Sequence, residues 1–239
     1  MMHFQHSTDI WRDFPELVAG VLVVEGISAQ ANVATQITEL NAAAGRRLAT
    51  ASEADFPEVQ AWRRAFSRMG LKPTQYRCAS ESLLRRYRKE GSLPSLHPLV
   101  ELCNAASMGF AIPAAAFDLD RITGNLEVRR AAGDERYLTF SGQTEHPDIG
   151  EVIFADDDRQ AHARRWTNRQ SRASAVADAT TTALIVTEAM HDTAASDVRA
   201  LQDTLADVLE ASGARTLATA VLSQSAPRFT IEPTPPPTR

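Results

Sequence analysis

The order of helical and strand-like patterns along the chain is the feature that most limits its fold. Helical patterns over residues 31–48 and after Ser196 flank a centre with three strand-like runs, LEVRRA, RYLTFSG and EVIFAD, separated by the turn-rich stretches AAGDE and QTEHPDIG. Two β-branched runs, GVLVVEGI and ATTTALIVTEAM, predict buried strands, and ARTLATAVLS predicts the last strand. Because no clean linker interrupts this order, we predict one α+β domain built of packed layers.

Further helices are predicted between GVLVVEGI and the central strands. Trp62, Phe66 and Met69 recur at helical spacing, which predicts a helix face packed in the core. Ser80 is predicted to cap the helix ESLLRRYRKE, and Ser196 is predicted to cap VRALQDTLADVLEAS. The segment LVELCNAASMGF predicts a short helix that places an asparagine amide among apolar neighbours.

Length and composition are those of an ordinary soluble protein. The 239 residues are enough to bury a core without a disulfide or a structural metal, and the chain contains no apolar run near the ~18 residues of a membrane helix. The opening MMHFQHSTDIW lacks the pattern of a signal peptide, and Cys78 and Cys103 are interpreted as reduced thiols. We therefore expect a cytoplasmic protein, with one domain over residues 1–225 and a proline-rich, extended or unstructured tail over residues 226–239.

The basic residues are distributed unevenly, although the formal net charge is −5. Between residues 61 and 90, nine basic residues accompany two acidic ones, and a second basic group at residues 159–172 contains no acid. Either these groups are solvated helix faces, or they fold together into a surface for a polyanion. Arg85 and Arg86 are the candidates from the first group for contacts with RNA.

The segment RRWTNRQS, residues 164–171, is the strongest candidate binding motif. It has no helical or strand-like apolar period, so burial in a core is not its expected use. Arginine side chains bind phosphate or carboxylate groups, and an indole offers a face on which a base can stack. If the preceding strand continues, one of its faces meets the ligand and the other meets solvent or phosphate. The candidate binding residues are Arg165, Trp166, Asn168, Arg169, Gln170 and Ser171.

An alternative interpretation makes Trp166 a core anchor and pairs the arginines with the acidic turn at Asp156–Asp158. That turn is expected to be solvated rather than to hold a cation. The histidines and cysteines are too scattered for a zinc site, and the chain contains no GxSxG, P-loop or GxGxxG pattern. We therefore predict no metal and no cofactor.

A longer stretch carries a resemblance to a known family. The run LVELCNAASMGFAIPAAAFDLDRITGNLEVRRAAGDE and the later SAVADATTTALIVTEA resemble the B3/B4 editing domain of the bacterial phenylalanyl-tRNA synthetase beta subunit. Matching residues run without a gap from Asn104 through Pro113 to Asp118, and Glu188 matches a family glutamate after a small insertion. The resemblance covers residues 62–190. The chain lacks recognisable class II synthetase motifs, and in this it looks like free-standing relatives of the domain.

The resemblance implies a layered β/β/α domain of the B3/B4 type with flanking helices, and a pocket that admits the aminoacylated 3′ end of tRNA. It implies a free-standing hydrolase that deacylates mischarged tRNA in trans. Asn104 and Glu188 are the predicted catalytic residues. Asn104 is expected to hydrogen-bond the terminal nucleotide or the aminoacyl group, and Glu188 to contact the amino acid. Cys103 stands where the family has threonine.

One residue departs from the family pattern at an important place. Ala115 occupies the position of the family's histidine in HAFD. Another group or the substrate's own ribose hydroxyl would then position the water, or hydrolysis is absent. The alternative function is therefore a non-catalytic module that binds an RNA end, an amino acid or a nucleotide. The proline-rich tail supports a third possibility, a module that binds another protein.

Overall fold

The computed structural model describes residues 2–232, which form six α-helices and twelve strands. The helices are α1 (Thr8–Asp13), α2 (Ala34–Leu48), α3 (Pro57–Arg68), α4 (Ala79–Glu90), α5 (Pro98–Phe110) and α6 (Ala194–Ala211). The strands are β1 (Met2–His6), β2 (Val18–Glu25), β3 (Ala114–Asp118), β4 (Leu126–Arg130), β5 (Arg136–Leu138), β6 (Thr144–Glu145), β7 (Val152–Asp156), β8 (Gln160–Arg164), β9 (Arg169–Gln170), β10 (Thr182–Ala189), β11 (Arg215–Leu222) and β12 (Arg228–Ile231). None of the helices in the described part of the chain is both long and apolar enough to cross a membrane.

The strands form two sheets. The larger sheet has the order β12-β1-β4-β7-β8-β5-β6, with β9 paired to β8, and the smaller sheet has the order β11-β2-β10-β3. Helices and two sheets packed in layers confirm the predicted α+β class. The apolar runs GVLVVEGI and ATTTALIVTEAM form β2 and β10, which pair antiparallel at the centre of the smaller sheet.

The small sheet is buried on both faces, and strand alternation assigns a different layer to each face. Leu184 and Val186 of β10 pack in the same core cluster as Phe4 and Phe154 of the larger sheet. Their neighbours on β10 share a second cluster with α5 and α6, whose members include Ile185. The order of layers is therefore larger sheet, smaller sheet, helices, which is the predicted β/β/α arrangement.

Helix α6 lies close to the smaller sheet at Gly20, which has no side chain. A Cβ atom at Gly20 of β2 would lie 2.7 Å from side-chain atoms of Val198 and Gln202 in α6. Gln202 also donates to the Val21 carbonyl at 2.8 Å. Glycine therefore permits the close contact between β2 and α6, and a buried amide fixes it.

The predicted core stripe is confirmed for two of its three residues, since Met69 lies at the C-cap of α3 and is only partly buried, and two predicted caps are wrong. Trp62 and Phe66 are fully buried. Helix α4 begins at Ala79 after an N-cap at Cys78, so Ser80 lies inside the helix and is fully buried. Helix α6 begins at Ala194 after an N-cap at Thr193, because the chain turns earlier than the Ser196 pattern indicates.

The boundary predicted for the tail is also wrong. Residues 228–231 form β12, which pairs antiparallel with β1 at the edge of the larger sheet. The side chains of Phe229 and Ile231 are buried there, and this apolar alternation within a proline-rich stretch explains the difference. ARTLATAVLS forms β11 and is not the last strand. The remainder of the predicted tail, residues 233–239, lies outside the described residues.

Candidate functional site

A cavity of about 250 Å³ lies between the inner faces of the two sheets and is closed at one side by α4 and α5. Strand alternation places alternate residues of β3 and β10 on its wall, including Ala115 and Glu188. Its buried floor is formed by Phe117, Phe154, Ala163, Trp166, Val186 and Glu188. Its partly or fully exposed rim includes Ser82, Asn104, Asn168 and Gln170. The cavity therefore combines an apolar floor containing one carboxylate with a polar opening.

The Glu188 carboxylate is held on one oxygen only. Its Oε1 accepts hydrogen bonds from Trp166 Nε1 at 2.8 Å and lies 2.6 Å from His6 Nε2. A third ring, Trp62, donates from Nε1 to the Glu188 backbone oxygen at 3.2 Å. Among the described residues, no hydrogen bond reaches Oε2. A residue on the cavity wall therefore has one carboxylate oxygen that no described residue occupies.

Trp166 reaches Glu188 through an unusual turn. Arg165 and Trp166 are consecutive non-glycine residues with φ of 48° and 58°, a left-handed conformation that costs roughly 1–2 kcal/mol per residue. Hydrogen bonds from Trp166 N to Val152 O at 2.7 Å and from Arg165 N to a Glu151 carboxylate oxygen at 3.0 Å hold the turn. Backbone strain of this kind persists only where the surroundings fix it, and it clusters at functional sites.

This turn corrects the interpretation of RRWTNRQS. Strand β8 ends at Arg164, so the predicted alternation of faces beyond it is wrong. Trp166 has no exposed surface, so the expectation that the segment avoids the core is wrong for this residue. The alternative that makes Trp166 a core anchor fits its burial. Trp166 also lines the cavity, and its role in binding stays a prediction.

The arginines of the segment pair with glutamates, not with the predicted acidic turn at 156–158. Arg164 is buried and contacts Glu151 and Glu145, each at 2.8 Å, and the hydrogen bond with Glu151 raises the pKa of Arg164. Arg169 contacts Glu145 at 3.2 Å, and the Arg165 guanidinium lies 4.7 Å from the Tyr76 ring centre. Each of these three side chains therefore has a partner inside the chain, and the binding roles predicted for Arg165 and Arg169 stay predictions.

The polar residues of the rim differ in how free their amides are. Asn168 donates to the Arg77 carbonyl and Gln170 to the Ala116 carbonyl, both at 2.7 Å. Asn104 makes no side-chain hydrogen bond with the described residues. It lines this cavity and two adjoining cavities of about 360 and 180 Å³. Of the three rim amides in the described part of the chain, that of Asn104 is therefore the least committed.

The structure brings together five of the residues predicted from the sequence and leaves the others outside the cavity. Ser171 is buried and donates to the Leu138 carbonyl at 2.9 Å. Arg85 lies 3.8 Å from Glu53, and Arg86 pairs with Glu90 at 2.8 Å, on the exposed side of α4. The five residues that line the cavity are Asn104, Trp166, Asn168, Gln170 and Glu188.

The most important contact that sequence reasoning missed is His6. It lies outside the stretch of resemblance, and the alternation in MHFQH was the one available signal of strand β1. Ala115 lies on the cavity wall, so no imidazole occupies the position that carries one in the resembling family. Cys103 lines the smallest adjoining cavity, and burial raises the pKa of its thiol to about 12. Within residues 2–232, no group of three or more His, Cys, Asp or Glu side chains is arranged to hold a metal ion.

Comparison with known proteins settles the family. The model of the B3/4 domain matches residues 61–215, which is more than half of the chain. The chain belongs to the B3/4 domain family. The matched range includes the predicted 62–190 and extends through α6, whereas β1 and β2 lie before it.

Relatives of this B3/4 domain are much longer proteins. It is 29% identical over 93 residues to the phenylalanine–tRNA ligase beta subunit of Photorhabdus laumondii, covering 39% of this chain and 12% of that one. It is 33% identical over 75 residues to the corresponding subunit of Cereibacter sphaeroides, covering 31% of this chain and 9% of that one. The chain thus matches only about a tenth of the length of these relatives.

A solved structure confirms the fold at low sequence identity. An N-terminal fragment of the phenylalanyl-tRNA synthetase beta subunit from Pyrococcus horikoshii superposes with a TM-score of 0.50 and 9% identity. The superposition covers 90% of this chain and 50% of the fragment. At this identity the likeness concerns the fold alone.

Proposed function

We propose that this B3/4 domain is a free-standing cytoplasmic hydrolase that binds the aminoacylated 3′ end of tRNA and deacylates mischarged species in trans. The observation that carries the proposal is the cavity between the two sheets, which both Asn104 and Glu188 line. The names of the relatives, phenylalanine–tRNA ligase beta subunits, supply the substrate class. We treat residues 1–225 together with β12 as one working domain.

The cavity has the size for one aminoacyl group. Its volume of about 250 Å³ lies just below the ~300–1,000 Å³ of pockets for larger ligands. Phe117, Phe154 and Val186 offer an apolar wall for a side chain. The ester is then placed near the polar rim, and the nucleoside remains outside the cavity.

The proposed reaction is direct attack by water on the ester carbonyl. The new bond joins the water oxygen to the carbonyl carbon, the ester C–O bond breaks, and the ribose oxygen leaves with a proton from the water. The products are the free amino acid and the RNA 3′ terminus. Asn104 donates to the oxygen that becomes negative, an effect typically worth about 100-fold in rate.

Neither cysteine fits the role of a covalent nucleophile. Burial raises the pKa of Cys78 to about 11 and that of Cys103 to about 12, so both remain thiols near neutral pH. Both side chains are buried outside the wall of the main cavity. A positioned water is sufficient, because an aminoacyl ester is already activated.

The test is deacylation of a panel of correctly and incorrectly charged tRNAs. The wild-type protein is expected to hydrolyse selected mischarged species. Asn104→Ala and Glu188→Ala are each expected to reduce that rate by about 10-fold to 100-fold. Asp203→Asn, on the exposed side of α6, is the control and should retain the wild-type rate. Hydrolysis that survives both cavity variants would place the site elsewhere.

The second candidate is a non-catalytic module that binds the same RNA end or an amino acid. The observation that favours it is Ala115, which gives the cavity wall a methyl group where the resembling family has an imidazole. Measurable binding of aminoacyl-tRNA without hydrolysis across the panel would favour this function over the first. Ala115→His then asks whether restoring the imidazole restores hydrolysis.

A further inference from the structure

His6 belongs to the candidate site although it comes from strand β1, before the region that matches the family model. Strand β1 pairs parallel with β4, and this register sets His6 opposite Val128. The imidazole is completely buried, with its Nε2 atom 2.6 Å from Glu188 Oε1. Aromatic rings surround it, including those of Phe4 and Trp11, whose centres lie 5.3 and 5.0 Å away.

One ring nitrogen of His6 has a partner and the other has none. The Nδ1 atom is buried and has no hydrogen-bond partner among residues 2–232. A hydrogen on Nδ1 would be buried without an acceptor, whereas a hydrogen on Nε2 has Glu188 Oε1 at 2.6 Å. The geometry therefore suits donation from Nε2 to Glu188 Oε1.

Glu188 Oε1 has two nitrogen neighbours. Trp166 Nε1 can only donate, so Oε1 accepts its hydrogen, and His6 Nε2 lies 2.6 Å from the same oxygen. In the part of the chain that the structure describes, no lysine or arginine forms a salt bridge with Glu188. The Glu188 side chain is only 2% exposed and lines the cavity, and its Oε2 accepts no hydrogen bond from residues 2–232. A buried negative charge without a cation is costly, and a cationic ligand would relieve that cost.

We infer that His6 and Trp166 hold Glu188 as a binding site for the α-ammonium group of the aminoacyl ester, so the cavity takes substrates with a free amino group and rejects N-blocked ones. His6 is a positioning residue here, since it contacts Glu188 and not the cavity. The inference rests on the proposed function for the choice of an aminoacyl ligand. The ammonium site itself can be measured without any hydrolysis.

The first experiment compares two small probes by calorimetry. Phenylalaninamide carries a free ammonium group and N-acetylphenylalaninamide does not, while both present the same ring to the apolar wall. The wild-type protein is expected to bind the free amine at least about tenfold more tightly. Equal affinities, stronger binding of the acetylated probe or no binding of either probe would overturn the inference.

Variants of Glu188 and His6 then test the role of each residue in binding the free amine. Glu188→Gln keeps the shape of the side chain and is expected to abolish the preference for the free amine. His6→Leu removes the donor and is expected to weaken binding of the free amine about tenfold. His6→Gln places an amide nitrogen near the position of Nε2 and is expected to restore most of the preference. Asp203→Asn serves as the control with wild-type affinity.

The pattern of results separates the two proposals. Rescue by His6→Gln but not by His6→Leu identifies positioning of the carboxylate, and circular dichroism confirms that each variant is folded. If His6→Leu fails to fold, the comparison of His6→Gln with Glu188→Gln still decides the inference. Amine preference without deacylation of any tRNA would refute the hydrolase and leave the ammonium site standing. Deacylation of N-acetylated and free aminoacyl-tRNA at equal rates would refute the ammonium site and leave the hydrolase standing.

Discussion

Two glutamates that contact the same turn differ in how many of their carboxylate oxygens have partners. Glu151 has both carboxylate oxygens occupied, by Arg164 Nε at 2.9 Å and Nη2 at 2.8 Å, and it also accepts the Arg165 N–H. Burial acts to raise the pKa of Glu151, but the hydrogen bond from Arg164 prevails and lowers it. Glu188 has one oxygen occupied and no arginine or lysine partner in the described residues. A fully satisfied carboxylate stabilises the fold, whereas a half-satisfied carboxylate in a cavity is available to a ligand.

The largest loss of stability is expected when the pair between Arg164 and Glu151 is broken. Arg164→Met removes both hydrogen bonds of the guanidinium and leaves the Glu151 carboxylate with only the Arg165 guanidinium, 3.9 Å away. It should lower the free energy of unfolding by about 3 kcal/mol in chemical denaturation. The control is Arg136→Ala, which removes an exposed pair with Asp158 at 2.9 Å and should cost no more than about 1 kcal/mol. Equal losses for the two variants would remove the distinction between the glutamates.

A second carboxylate with partners on both oxygens, that of Glu135, predicts that the free energy of unfolding depends on pH. Burial acts to raise the pKa of Glu135, but hydrogen bonds from the Ala132 and Gly133 backbone and from Arg129 lower it from 4.5 to about 2. Because the folded-state pKa is depressed, this stabilisation is present above pH ~4.5 and is lost as the pH falls towards 2, up to about 3 kcal/mol. Denaturation measured between pH 6 and pH 2.5 checks it. Glu135→Gln should flatten this dependence, and an unchanged slope would contradict the assignment.

An intermediate effect is expected at the indole that touches Glu188. Trp166→Phe keeps an aromatic ring in the core but removes the donor to Oε1, so we expect a loss of roughly 2 kcal/mol in stability. The preference for a free amine should fall in the same variant, because the carboxylate is then held by His6 alone. Trp62→Phe, which removes the donor to the Glu188 backbone, should leave that preference in place.

The smallest effect on stability is expected at Glu188 itself. Glu188→Gln removes a buried charge that has no cationic partner and keeps an acceptor for Trp166, so the free energy of unfolding should change by less than about 1 kcal/mol. Thermal and chemical denaturation measure it beside the deacylation rate. A stability loss as large as that of Arg164→Met would make Glu188 a structural residue.

The sequence predicted the layers and part of the site, and the missing parts share a physical cause. Strong apolar runs predicted β2 and β10, and the family resemblance brought Asn104 and Glu188 to one site. The burial of Trp166 was only the alternative prediction because its neighbours along the chain are polar, and its environment comes from strands and helices distant in sequence. The contact between His6 and Glu188 was missed for the same reason, since it depends on the pairing of β1 with β4.

The pairing of β1 with β12 has a consequence for the order of folding. Strand β1 precedes every other described element of the fold, whereas one of its two neighbours, β12, follows all of them. During synthesis, the edge that carries His6 therefore stays open until residues 228–231 have been made. A cut just before residue 228 would leave the family core intact while exposing the strand that supplies the imidazole. Loss of amine preference would then report damage at the far end of the chain before the core unfolds.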